Sequence, residues 1–198
     1  MSAEKLILAS KSASRRAMLD AAGVEYEAIP ADIDERALED GLTGASPPEI
    51  AEALSVAKAA ALTRVHPKTL ILGSDSLVVV EGKRFDKPTS RENAAEHLRY
   101  FSGKTIELHS AAALVRDDVC EWSNADIARL QVRDLSDGFI EHYLEREWPE
   151  VGYTVGVFRI EAMGVQLFDA VEGDQFTVLG MPLLPVLGAL REHGVLKT

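Results

Sequence analysis

The segment Gly73-Ser74-Asp75-Ser76 interrupts what otherwise reads as pure core, Leu70-Ile71-Leu72 on one side and Leu77-Val78-Val79-Val80 on the other. Apolar runs of this kind read as buried strands. A carboxylate at their junction is costly unless it is hydrogen-bonded, paired with a cation or bound to a metal. Four cations, Arg15, Arg16, Lys58 and Lys87, stand where a bland fold has no need of them. An acid ringed by fixed positive groups suits phosphoanhydride hydrolysis, in which the acid handles a water and the cations hold phosphates.

Each cation has a second reading. Arg15 and Arg16 fall in the first turn of a helix opened by Ser10-Lys-Ser-Ala-Ser14, where basic residues cost about 0.3–1 kcal/mol each against the macrodipole. A bound anion reverses that sign, and the hydroxyls of Ser10, Ser12 and Ser14 add donors. The plain alternative is a serine cap followed by two solvated arginines. Projected at 100° per residue, Lys58 falls in the arc of Ala51, Leu54, Ala61, Leu62 and Val65. There it either snorkels to an edge or faces a phosphate. Lys87, counted from a turn at Gly82, falls opposite Ser76 or Leu77 and so near Asp75, or else makes an ordinary hairpin salt bridge.

The remaining polar candidates are weaker. Asp32, Asp34 and Glu35 form an acidic run that either is a solvated loop or supplies a ligand to Mg²⁺ or Mn²⁺. Glu161, in a stretch predicted to be interior, either pairs with Arg159 or accepts hydrogen bonds from the N–H edge of a base. His66, His97, His109, His142 and His193 have no metal-ligand spacing, and Cys120 has no nucleophile context.

These residues need elements to hold them. The pattern predicts strands at 6–9, 24–29, 69–73, 76–80, 105–116, 119–133, 163–171 and 176–179. It predicts helices from Ser10 to Gly23, from the capping box Ser46-Pro-Pro-Glu49 to about Val65, over 90–101, over 136–147, and from Pro182. Residues 32–44 read as an exposed acidic turn. The expected fold class is α/β, a mixed β-sheet with flanking helices in two lobes around a central cleft, as one domain over 1–198.

Composition narrows the partners. The 198 residues are 46% hydrophobic, enough for a sizeable core, with a formal net charge of −11. That argues against nucleic-acid and anionic-membrane surfaces. One cysteine excludes an internal disulfide and a thiolate zinc cluster. No apolar run has membrane-spanning length, and the start lacks a signal-peptide core, so a cytoplasmic location is expected.

Taken in order, Ser10-Lys-Ser-Ala-Ser-Arg-Arg16, Asp34-Glu35, Lys58, Gly73-Ser-Asp-Ser76, Asp86-Lys-Pro88, Ser102-Gly-Lys-Thr105 and Gly180-Met-Pro-Leu183 resemble the Maf family of nucleoside triphosphate pyrophosphatases. The resemblance implies a fold shared with inosine triphosphate pyrophosphatases, a divalent metal (Mg²⁺ or Mn²⁺) and a homodimer. It implies Asp75 as general base and Arg15, Arg16, Lys58 and Lys87 as phosphate-binding cations. Glu35 becomes a catalytic carboxylate that holds the metal with Asp75, and Ser10 and Ser12 line the substrate. Ser76 and Glu161 match positions linked to base choice. Gly73-Ser-Asp and Glu161 lean to the branch associated with 7-methyl-GTP. Ala13, Ser14 and Ala162 depart from the family pattern near the base pocket. The expected reaction is hydrolysis at the α-phosphorus to a nucleoside monophosphate and pyrophosphate. The rivals are a non-catalytic nucleotide-binding regulator of cell division and a phosphatase releasing orthophosphate.

Overall fold

A computed structural model describes residues 4–198. In chain order the elements are β1 (Leu6–Leu8), α1 (Ala13–Ala21), β2 (Glu27–Ala28), α2 (Glu35–Asp40), α3 (Pro47–Thr63), β3 (Leu70–Val80), β4 (Lys83–Phe85), α4 (Arg91–Phe101), β5 (Thr105–Arg116), β6 (Val119–Val132), α5 (Asp137–Glu147), β7 (Phe168–Glu172), α6 (Gln175–Val178) and α7 (Leu183–Glu192). The strands are hydrogen-bonded in the order β2-β1-β3-β5-β6-β7, with β4 also on β3. β1 runs parallel to both β2 and β3, whereas β3/β4 and β6/β7 are antiparallel, so the sheet is mixed. The α/β class with flanking helices is as expected.

Local chemistry sets the boundaries. The Ser12 side chain accepts from the Arg15 N–H to cap α1, and Gly23 at φ +69° ends that turn. At α3 the Ser46 N–H and hydroxyl both donate to the Glu49 carboxylate, at 2.7 and 2.6 Å. Glu81 and Gly82, both at positive φ, make the tight turn between β3 and β4, whose register pairs Val80 with Lys83 and Val78 with Phe85.

Five expectations change. Residues 70–80 are one continuous strand, so Asp75 lies within a strand and not at a junction of two. The acidic stretch 32–44 contains α2, because Asp34 accepts from the Ala37 N–H and caps it. Residues 176–178 belong to the helical turn α6, and the first half of 163–171 is a 3₁₀ turn, Met163–Leu167, before β7. The second strand shrinks to two residues.

The chain forms two compact units. The first comprises Met1–Ser76, His109–Asp126 and Gln175–Thr198. On one face of its strands, Leu6, Leu8, Leu70, Leu72, Ala112 and Leu114 pack against α1 and α7 through Met18, Leu19, Val186 and Leu190. On the other face Ile7, Ile71 and Val115 pack against Ala59 and Leu62 of α3. Alternation along each strand assigns the two faces. Burying each such branched side chain contributes about 1.5–3 kcal/mol.

The second unit comprises Leu77–Leu108 and Ile127–Asp174. Its core gathers Phe85 edge-on to Phe101 and His97, at centroid distances of 4.8 and 5.1 Å. Tyr143 is fully buried, and its hydroxyl donates to Val157 O at 3.0 Å. The Ser102-Gly-Lys-Thr105 segment ends α4: Ser102 Oγ accepts from Leu135 N–H and Gly103 takes φ +69°. Lys104 pairs with Glu81 at 2.9 Å.

Candidate active site

The first cluster begins at a glycine. A Cβ on Gly73 would lie 1.9 Å from Ser55 O, so only glycine lets α3 lie this close to β3. Two residues along the same strand face is Asp75, and one turn along α3 from Ser55 is Lys58. The close approach brings them together: Lys58 Nζ donates to Asp75 Oδ1 at 2.5 Å. The same ammonium lies 3.0 Å from Glu35 Oε1 at the start of α2. The side chains of Lys58 and Asp75 are 13% and 10% exposed, against 47% for Glu35. Lys58 therefore neither snorkels nor floats; it is the counter-ion that makes a buried Asp75 tolerable.

The second cluster lies on the opposite face of the same strand, because Ser74 and Ser76 alternate with Asp75. Arg15 Nε donates to Gly180 O at 2.9 Å, Nη2 to Ser76 Oγ at 3.1 Å and Nη1 to Ser10 Oγ at 3.4 Å. All three acceptors are neutral. Burial depresses the Arg15 pKa below its ordinary value, with Asp75 and then Glu35 pulling the other way. Three of the five N–H groups of this half-buried guanidinium are spent on neutral oxygens, so donors remain for an anion.

The loop before α1 completes this side. The Ser12 N–H donates to Ser10 Oγ at 3.1 Å, and Ser12 Oγ shares a hydrogen bond with Ser14 Oγ at 3.0 Å. Arg16 is exposed, and its carbonyl accepts from the Tyr26 hydroxyl. The remaining two predicted residues belong to the second unit. Lys87 is exposed in the loop between β4 and α4, ahead of buried Pro88. Glu161 is also exposed, which corrects the interior reading; Arg159 pairs instead with Glu147 Oε2, through Nε at 3.1 Å and Nη2 at 2.9 Å.

The donor set fits a hard divalent cation. Asp75 and Glu35 each present a carboxylate oxygen to the Lys58 ammonium, at 2.5 and 3.0 Å. No group of three or more His, Cys, Asp and Glu gathers among the described residues. Two protein carboxylates with the remaining positions left to phosphate and water is how Mg²⁺ is commonly held.

Sequence reading passed over Gly180 as an individual residue, as well as Ser74, Ser110, Thr177 and Asp126, whose polar atoms lie behind Arg15 and Ser76. Arg15 and Gly180 are 165 positions apart, so no local pattern signals their contact.

Known proteins bear on this geometry. The sequence pattern of the family described as "Maf-like protein" matches residues 5–193. A "Nucleoside triphosphate pyrophosphatase" of Rhodopseudomonas palustris is 44% identical over 191 residues, covering 96% of this chain and 95% of that protein. A "7-methyl-GTP pyrophosphatase" of Rhizobium meliloti is 46% identical over 193 residues, covering 96% and 97%. Another of that description, from Mesorhizobium japonicum, is 45% identical over 195 residues, covering 98% of each. Among solved structures, a nucleoside-triphosphatase described as a dITP/XTP pyrophosphatase from Mycobacterium abscessus is 20% identical, with a TM-score of 0.41 over 66% of this chain and 75% of that one, a likeness too slight to carry weight. With a family pattern spanning nearly all of its length, and relatives above 40% identity that are matched end to end, the chain belongs to the Maf-like protein family.

Proposed function

We propose that the chain is a nucleoside triphosphate pyrophosphatase, which adds water at the α-phosphorus, breaks the bond to the α,β-bridging oxygen and releases a nucleoside monophosphate and pyrophosphate. The observation that carries this reading is the Lys58 ammonium gripping Asp75 and Glu35 on one face of β3, with Arg15 half-buried among neutral acceptors on the other. Relatives described as nucleoside triphosphate and 7-methyl-GTP pyrophosphatases support it.

Each residue then has a task. Asp75 orients the attacking water and takes its proton. Lys58 fixes the rotamer of Asp75. Arg15 accepts phosphoryl oxygens in its fork, and Arg16 and Lys87 supply further positive charge for the triphosphate. Ser10 and Ser12 stand where their hydroxyls meet phosphate oxygens at the start of α1. Glu35 and Asp75 would hold Mg²⁺ or Mn²⁺, which when bound draws charge from the phosphates and steadies the leaving pyrophosphate. Glu161 is the candidate reader of the base, and a modified purine such as 7-methyl-GTP is the favoured substrate. The whole, residues 1–198, works as a single cytoplasmic domain in a homodimer without nucleic acid or membrane.

The test is a release assay with ATP, GTP, 7-methyl-GTP, UTP, dTTP and dITP in Mg²⁺ and in Mn²⁺. Pyrophosphate release from at least one nucleotide is expected. Orthophosphate alone would identify a phosphatase, and no release of either would leave a nucleotide-binding regulator. Asp75→Asn should lose about 10²–10⁴-fold in turnover while still binding nucleotide, by the scale of general-base losses; wild-type turnover would remove Asp75 from the role of base.

A further inference from the structure

We propose that Ser110 and Ser76, with Ser110 anchored on the Thr177 main-chain carbonyl, form a relay that positions Arg15, and that Ser76 serves this relay instead of reading the nucleobase. The inference rests on the phosphate site described above.

The argument is an inventory of hydrogens. Each hydroxyl has one to give. Thr177 Oγ1 donates to Asp126 Oδ2 at 2.8 Å, since a carboxylate only accepts. Ser110 Oγ donates to Thr177 O at 2.9 Å. That uses the hydrogen of Ser110, so in the 3.0 Å contact between Ser76 Oγ and Ser110 Oγ the donor is Ser76. Gly180 O, also at 3.0 Å, is the alternative acceptor for the Ser76 hydrogen among the described residues. Either way the hydrogen stays inside the protein, and the Ser76 lone pairs receive Arg15 Nη2 at 3.1 Å. A nucleobase acceptor finds no donor left on Ser76.

In either arrangement the Ser76 hydrogen is turned away from Arg15, and its lone pairs face the guanidinium. Ser110 and Thr177 are 0% exposed. Leu72, Leu114 and Ala112, which continue the same strand face, are apolar and equally buried. Hydroxyls in that setting carry a desolvation cost that only a specific network offsets. Gly180 fits the same purpose. It sits at φ +100°, and a Cβ there would lie 3.2 Å from Ser76 Oγ, so its carbonyl reaches Arg15 Nε and Ser76 together.

The experiment pairs a double-mutant cycle with a nucleotide panel. Inorganic triphosphate, which has no base, is titrated into wild type, Ser110→Ala, Arg15→Lys and the double variant. Ser110→Ala should weaken triphosphate binding about tenfold in the wild-type background, and less than about twofold when Arg15 is already lysine. In the panel, Ser110→Ala should lower kcat/KM for all nucleotides by one common factor, leaving the ratios between bases unchanged. Equal losses in both backgrounds, or altered base ratios with unchanged triphosphate affinity, would overturn the relay. If Ser110→Ala does not fold, Ser76→Ala and Ser76→Thr decide: alanine should weaken triphosphate binding and threonine, which keeps the hydroxyl, should restore it, and identical behaviour of the two would overturn the relay. Absence of pyrophosphate release by wild type would strike the proposed reaction alone, because the triphosphate titrations still read the relay.

Discussion

At the residue scale, one lysine carries most of the electrostatic burden. Asp75 is nearly buried, and its partner Lys58 is buried with it, so removing either leaves a charge without its counter-ion. Such a loss costs roughly 3–5 kcal/mol, whereas the half-exposed Glu35 contact is worth under about 1 kcal/mol. Lys58→Met should therefore lower unfolding free energy by a few kcal/mol in urea titrations, and adding Asp75→Asn should recover part of it. Glu35→Gln should leave stability within about 1 kcal/mol of wild type yet reduce metal-dependent turnover. A Glu35→Gln protein as active as wild type across Mg²⁺ concentrations would take Glu35 out of the metal site.

At the element scale, the seat of α3 on β3 and the packing of α4 on β4 are the sensitive joints. Gly73→Ala drives a methyl into the Ser55 carbonyl, a backbone atom that cannot swing aside. The cost should exceed about 3 kcal/mol, visible as a collapsed melting temperature or insoluble protein. Gly188, inside α7 with open space where a Cβ would sit, gives the opposite expectation: Gly188→Ala should add about 0.5–1 kcal/mol. In α4, burial against Phe85 and Phe101 lowers the His97 pKa, with Lys83 adding to the shift and Glu96 and Asp86 opposing it. The unfolded chain then takes up the proton first as pH falls below about 6.5. Stability from neutral His97 is complete above that value and is lost as pH falls through the lower folded value. Between pH 8 and pH 5 the melting temperature of wild type should fall further than that of His97→Leu. Parallel profiles would show that His97 is not the group responsible.

At the scale of the whole molecule, the charge distribution decides which polyanions are welcome. A formal net charge of −11 disfavours the approach of a second polyanion such as nucleic acid, while in the first unit the guanidinium of Arg15 and the ammonium of Lys58 act with Glu35 and Asp75. A mobility-shift titration at physiological salt should show no complex with duplex DNA or with RNA, and a complex at micromolar protein would contradict that reading. No described helix is long and apolar enough to cross a membrane.

Much of this was legible in the chain. The capping box, the helix-ending Gly23 and the register of the β3 hairpin follow from local rules, because short-range sterics and hydrogen bonds settle them. Asp75, Lys58 and Arg15 stood out because each is expensive where the pattern puts it. What the chain left open was set by contacts between distant residues. Whether Lys58 snorkels or pairs depended on Gly73 admitting the backbone of α3, and α6 turned helical where isolated propensity favoured a strand. Glu161 looked interior by its neighbours yet lies exposed, and Arg159 bonds Glu147, twelve residues before it. The oxygens behind Arg15 come from residues 76, 110, 126, 177 and 180. Residue types fix what charges and donors a chain has to spend; only folding fixes which of them meet, because hydrogen bonds of about 3 Å are set by packing and not by separation along the sequence.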